Sequence, residues 1–130
     1  SESMRPELHA AGMQQIFLVA PTSSPARRTR MAASAEGFLY YVSFAGVTGG
    51  SQLDPVAVNA AVAELKAMSY APVAVGFGVK DAQSAKSIAT HADAVVVGSA
   101  LVQLLADCSS AAQAQSIAQE FLAPIRSALD

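Results

Sequence analysis

One cysteine, Cys108, no tryptophan and two widely separated histidines, His9 and His91, remove several kinds of protein at once. A single thiol cannot close an internal disulfide, and lone histidines give no metal-ligand spacing, so neither a disulfide framework nor a metal centre is expected. Charge is also scarce. Eight Lys and Arg against ten Asp and Glu leave a net charge of -2, which gives no electrostatic footprint for nucleic acid or for an anionic membrane surface. No apolar run approaches the roughly 18 residues that would span a bilayer. No cationic start, apolar stretch and small-residue cleavage site appear together as an export signal. No G-x-G-x-x-G joins a strand to a helix, so a Rossmann nucleotide unit is not indicated. A small molecule or a soluble partner remains, in a reducing, cytoplasmic setting.

Apolar residues are abundant: 52% of the 130 residues are hydrophobic, enough to bury one core and to read residues 1–130 as a single domain segment. Strand-like and helix-like stretches alternate. The sequence starts in a helix-like stretch without an initiator Met, as if continuing something longer. A helix over Glu7–Gly12 leads to a strand over Gln15–Ala20, and Ser24-Pro25 starts a helix that closes by Gly37. A second strand spans Phe38–Ser43. Asp54 caps a helix with Pro55 in its first turn and Val58, Val62 and Leu65 on one face. Strands over Pro72–Phe77 and Asp93–Gly98 flank a helix over Asp81–His91, and two further helical pieces divide near Ala106–Ser110. Four βα units without hairpin signals predict an α/β fold with parallel strands and right-handed helical crossovers.

Glycines gather where these strands end: Gly46 and Gly49 after the second, Gly76 and Gly78 around the third, Gly98 after the fourth. Ligands of α/β folds bind at the carboxyl ends of parallel strands, and in β/α barrels a phosphate typically sits on the loops after the last two strands. A Gly-Ser step such as Gly98-Ser99 alone can simply turn the chain and cap a helix. With Gly76-Phe77-Gly78 one unit upstream, an anion site is the better reading. Backbone N–H groups can then hold a phosphate without Lys or Arg.

In order and spacing, "IFLVAPTS" (16–23), "GFLYYVSFAGVTG" (37–49), "PVAVGFGV" (72–79) and "ADAVVVGSALV" (92–102) resemble the second half of the tryptophan synthase alpha subunit. The likeness covers nearly the whole chain. It implies a (β/α)8 TIM-barrel family in which this chain supplies strands five to eight. It also implies cleavage of indole-3-glycerol phosphate to indole and glyceraldehyde 3-phosphate in tryptophan biosynthesis. On the matching positions it implies a phosphate held by Gly49, Gly78, Gly98 and Ser99. The substrate pocket would be walled by Leu18, Tyr40 and Phe77, and Thr48 would lie on the loop that closes over it. It implies no metal and no cofactor in this chain; pyridoxal phosphate is expected only in a partner beta subunit.

The family's acid and base, a glutamate and an aspartate, belong to segments that this chain does not contain. No carboxylate here matches them, so no catalytic residue is assigned, and the missing first half of the barrel is itself an expected partner. Phe44 and Lys80 depart from residues common at the matching family positions. His91, Arg27, Arg28 and Arg30 are expected on solvated helix surface. Two other readings stay open: a non-catalytic module that binds a phosphorylated metabolite, and a scaffold for a partner protein.

Overall fold

The computed structural model describes residues 4–43, 54–76 and 78–130. The elements follow in the order α1 (Arg5–Ala10), β1 (Phe17–Val19), α2 (Pro25–Ala33), β2 (Leu39–Val42), α3 (Pro55–Met68), β3 (Val73–Gly76), α4 (Ala82–Ile88), β4 (Ala94–Val96), α5 (Ser99–Leu105) and α6 (Ala111–Leu129). The four strands form one parallel sheet in the order β1-β2-β3-β4. In register, Leu18 pairs with Tyr40, Tyr40 with Ala74, and Ala74 with Ala94; one step on, Val42 pairs with Gly76, and Gly76 with Val96.

Residues in register on parallel strands point to the same side, so the sheet has two chemically distinct faces. Val19, Leu39, Tyr41, Val73 and Val75 point to one face, where they join Met31 and Ala32 of α2, Val58, Val62 and Leu65 of α3, Ala85 and Ile88 of α4 and Ile125 of α6 in a single buried cluster. Leu18, Tyr40, Val42, Ala94 and Val96 point to the other face. No helix among those described covers it, and Leu18 is 62% exposed.

Local chemistry sets the helix starts. The Ser24 hydroxyl accepts from the Arg27 amide at 3.4 Å, and the Asp54 carboxylate accepts from the Val56 and Ala57 amides at 3.0 and 3.3 Å. Each cap is followed by a proline, whose missing N–H is one of the donors a helix start leaves unpaired in any case. Asp81 and Ser84 form a reciprocal capping box at α4, with the Ser84 amide 2.7 Å from the Asp81 carboxylate. These bonds favour the ionised acid and hold the Asp81 carboxyl below its ordinary range.

Glu36 ties α1 to the turn before β2. Its carboxylate accepts from Arg5 Nε at 2.9 Å and from a second guanidinium nitrogen, while His9 Nε2 lies 2.8 Å from both of its oxygens. The histidine and arginine contacts hold the Glu36 pKa at about 2. Asp93 is similarly depressed by Lys66, whose Nζ lies 2.7 Å away, and by the Val73 amide at 2.9 Å. That contact ties the start of β4 to the start of β3.

Several boundaries differ from the sequence reading. β1 has three residues rather than the six of Gln15–Ala20, because an edge strand forms its ladder with only one neighbour. β4 shortens likewise, from Asp93–Gly98 to Ala94–Val96. α4 stops at Ile88, which leaves His91 exposed beyond the helix end instead of on it. Arg28 is only partly solvated: its side chain is 18% exposed, donating to Glu64 at 3.2 Å and to the Pro21 carbonyl at 2.9 Å. The division between α5 and α6 falls where it was expected, with the Ser110 hydroxyl accepting from the Gln113 amide at 3.2 Å to start α6.

Candidate functional site

The open face of the sheet leads into a cleft of about 490 Å3 at the carboxyl ends of the strands. Each wall has a simple origin. β1 contributes Leu18 and β2 contributes Tyr40 and Val42, all three pointing away from the helices. The turn after β3 contributes Gly78 and Lys80, and the start of α5 contributes Gly98, Ser99 and, one turn on, Gln103. Apolar strand residues therefore form the floor, and backbone, hydroxyl, amide and ammonium groups form one rim.

Five residues singled out in the sequence thus meet around one cavity: Leu18, Tyr40, Gly78, Gly98 and Ser99. Gly49, Thr48 and Phe77 lie outside the described residues. Lys80 and Gln103 are rim residues that sequence reasoning did not assign to the site. The signals were present, since Lys80 follows Gly-Phe-Gly-Val directly and Gln103 lies one helical turn beyond Ser99.

Two glycines owe their identity to geometry. Gly78 has φ +75°, in the left-handed region where a side chain would be strained, and this conformation turns the chain out of β3 toward the cleft. Gly76 gives room to Tyr40: a Cβ at this position would stand 2.0 Å from the phenol oxygen and 2.6 Å from Cζ. The Tyr40 ring therefore lies across β3, with its hydroxyl in the space that a side chain at position 76 would need. At Gly98 the situation is reversed, because a Cβ there would meet nothing within 4 Å. Position 98 faces open space, and no side chain caps α5, which begins at Ser99.

The cleft sets an apolar floor against a polar rim, and among the described residues its titratable side chains are Tyr40 and Lys80. No Asp, Glu or His lines it among the described residues, and neither Phe77 nor residues 44–53 include one. A general acid or base must stand within hydrogen-bond reach of the proton it moves.

Over residues 1–128 the sequence matches the family model described as tryptophan synthase alpha chain. The chain belongs to the tryptophan synthase alpha chain family. It is 47% identical to the tryptophan synthase alpha chain of Xylella fastidiosa over 130 residues, covering 100% of this chain and 48% of that protein. Against the alpha chain of Methylococcus capsulatus it is 50% identical over 126 residues, covering 96% of this chain and 47% of the relative. Among solved structures, the alpha subunit from Legionella pneumophila superposes with a TM-score of 0.78 at 30% identity, covering 99% of this chain and 47% of that one. Tryptophan synthase from Mycobacterium tuberculosis in its aminoacrylate-bound form gives a TM-score of 0.71 at 33% identity, covering 96% of this chain and 46% of that chain. The chain spans about half the length of these alpha chain relatives, and its parallel sheet with alternating helices corresponds to four βα units of their TIM barrel. No described helix is long and apolar enough to cross a membrane.

Proposed function

We propose that this chain provides the phosphate-binding half of a carbon–carbon lyase that cleaves indole-3-glycerol phosphate to indole and glyceraldehyde 3-phosphate in tryptophan biosynthesis. The observation that carries the reading is the cleft: in a chain of this family, Leu18, Tyr40, Gly78, Gly98 and Ser99 surround one cavity at the carboxyl ends of the strands. Gly78, Gly98 and Ser99, together with Gly49, take the phosphate through backbone amides and the Ser99 hydroxyl. Leu18, Tyr40 and Phe77 take the indole, and Thr48 belongs to the closing loop. Parallel-strand ends are the usual seat of phosphate in barrels, which supports this division of roles.

The acid and base then come from barrel units outside this chain, consistent with a cleft that no described carboxylate lines. By itself the chain binds without turning over, and it gains activity when a polypeptide supplies the first four βα units. The product indole passes to a beta subunit, which carries the pyridoxal phosphate, and the assembly works in the cytoplasm. Family membership does not favour the non-catalytic module or the scaffold.

Glycerol 3-phosphate binding to the wild type and to Gly98→Val, followed by calorimetry, tests the reading. A Cβ at 98 would meet nothing within 4 Å, so the substitution projects into the opening where the anion would sit rather than into packed side chains. Binding is expected to disappear in the variant; unchanged affinity overturns the site.

A further inference from the structure

The geometry points to Lys80 as the cationic determinant of the cleft: a flexible ammonium that gives the site its preference for a dianionic phosphate monoester. This deepens the proposed phosphate-binding function and rests on it. Among the described residues, Lys80 is the only charged side chain lining the cavity, on the same rim as Gly98 and Ser99. Neither Phe77 nor residues 44–53 add a charge. Lys80 forms no ion pair among the described residues. The adjacent carboxylate, Asp81, accepts the Ser84 amide at 2.7 Å at the start of α4; it feels the Lys80 charge through space, which helps to hold its carboxyl low, but makes no ion pair with it among the described residues.

The backbone at this point is fixed while the side chain is left free. The Lys80 amide donates to the Ser84 hydroxyl at 3.1 Å, in the same capping box that starts α4, so the root of the side chain is held at the cleft rim. Beyond it, a four-carbon stem carries a compact charge with three donors. The other polar groups of the rim are neutral. Amides and a hydroxyl orient an anion, but they distinguish one charge from two far less than a full positive charge does. Because the side chain is exposed, its attraction is partly screened by salt, and this gives the proposal a signature that packing would not produce.

The test compares wild type, Lys80→Met and Lys80→Arg by calorimetric binding of inorganic phosphate and glycerol 3-phosphate at low and high salt, with thermal melts to verify folding. Wild type and Lys80→Arg are expected to bind with a clear salt dependence. Lys80→Met is expected to bind about fivefold more weakly at low salt, the upper range for an exposed ion pair, and to lose most of that dependence. If Lys80→Met matches wild type while Gly98→Val does not bind, the Lys80 role is overturned and the phosphate site stands. If Lys80→Arg weakens as much as Lys80→Met, charge is not the determinant and the proposal fails. A wild type that binds neither probe overturns both the proposal and the function beneath it.

Discussion

On the helix-covered face of the sheet Leu39, Val73 and Val75 are 0% exposed, whereas one residue along β1 from the buried Val19, Leu18 is 62% exposed on the opposite face. The same short strands supply both surfaces, and both are apolar. One face is filled by α2, α3, α4 and α6 and carries the core of the fold; the other opens into the cleft that forms the candidate site. Apolar character in a strand therefore has two meanings here, and only the neighbouring layer tells them apart. Parallel strands tend to be apolar on both sides for this reason.

The largest difference between the faces should appear when equal side chains are truncated on each. Leu39→Ala removes a fully buried side chain from the centre of the core, and about 3 kcal/mol of stability should go with it. Leu18→Ala, on an exposed wall of the cleft, should change stability by less than about 0.5 kcal/mol. Urea unfolding of the two variants measures both. Equal losses would mean that the open face is packed in solution and that the contrast between faces is false.

A smaller effect should sharpen the contrast within the open face itself. Gly76→Ala places a methyl group where the Tyr40 hydroxyl lies, 2.0 Å from the phenol oxygen. The clash is with the far end of one side chain rather than with backbone, so the ring can swing into the cleft, and the stability cost should stay near 1 kcal/mol. The cleft should change more than the fold, with glycerol 3-phosphate or indole binding weakened by the displaced ring. Combining Gly76→Ala with Tyr40→Ala removes the clash, and the pair should be non-additive by about 1 kcal/mol in a double-mutant cycle. Additive losses would show that the two residues do not share the space.

How far the sequence could be read follows the same division. The four βα units, the Asp54 and Ser24 helix starts, the inward stripe Val58, Val62 and Leu65, and the break between α5 and α6 were all legible, because each depends on local periodicity or capping chemistry. Strand-end glycines and the family resemblance brought Leu18, Tyr40, Gly78, Gly98 and Ser99 to attention before their common cleft was visible. Strand lengths were not legible, since β1 and β4 end where a single neighbour stops pairing with them. Nor was the partial burial of Arg28, whose ion-pair partner Glu64 is 36 residues away. The seat of Tyr40 over Gly76 was equally hidden, because it is a contact between strands.

The smallest expected effect lies away from both faces, in the ionic tie that holds α1, and it fixes how much of the acid response belongs to the sheet. Glu36 has a folded-state pKa of about 2, lowered first by His9 and then by Arg5. An unfolded chain would titrate it near the ordinary glutamate value of about 4.3. Because the folded value is the lower one, the unfolded state binds the proton more readily, and Glu36 contributes stability above the ordinary value that is lost as the pH falls toward about 2. Asp81 and Asp93 are shifted in the same direction by their capping bonds and by Lys66, so they add to the same acid limb. Glu36→Gln should lower stability modestly at neutral pH and flatten the decline between about pH 4 and pH 2, while Leu39→Ala shifts the whole curve relative to wild type without changing its slope. Acid titration of the three proteins by circular dichroism separates these outcomes. If Glu36→Gln leaves the acid limb as steep as in wild type, the cluster of Arg5, His9 and Glu36 is not formed in solution. The acid response would then belong to Asp81 and Asp93, the carboxylates that fix the start of α4 and join β3 to β4.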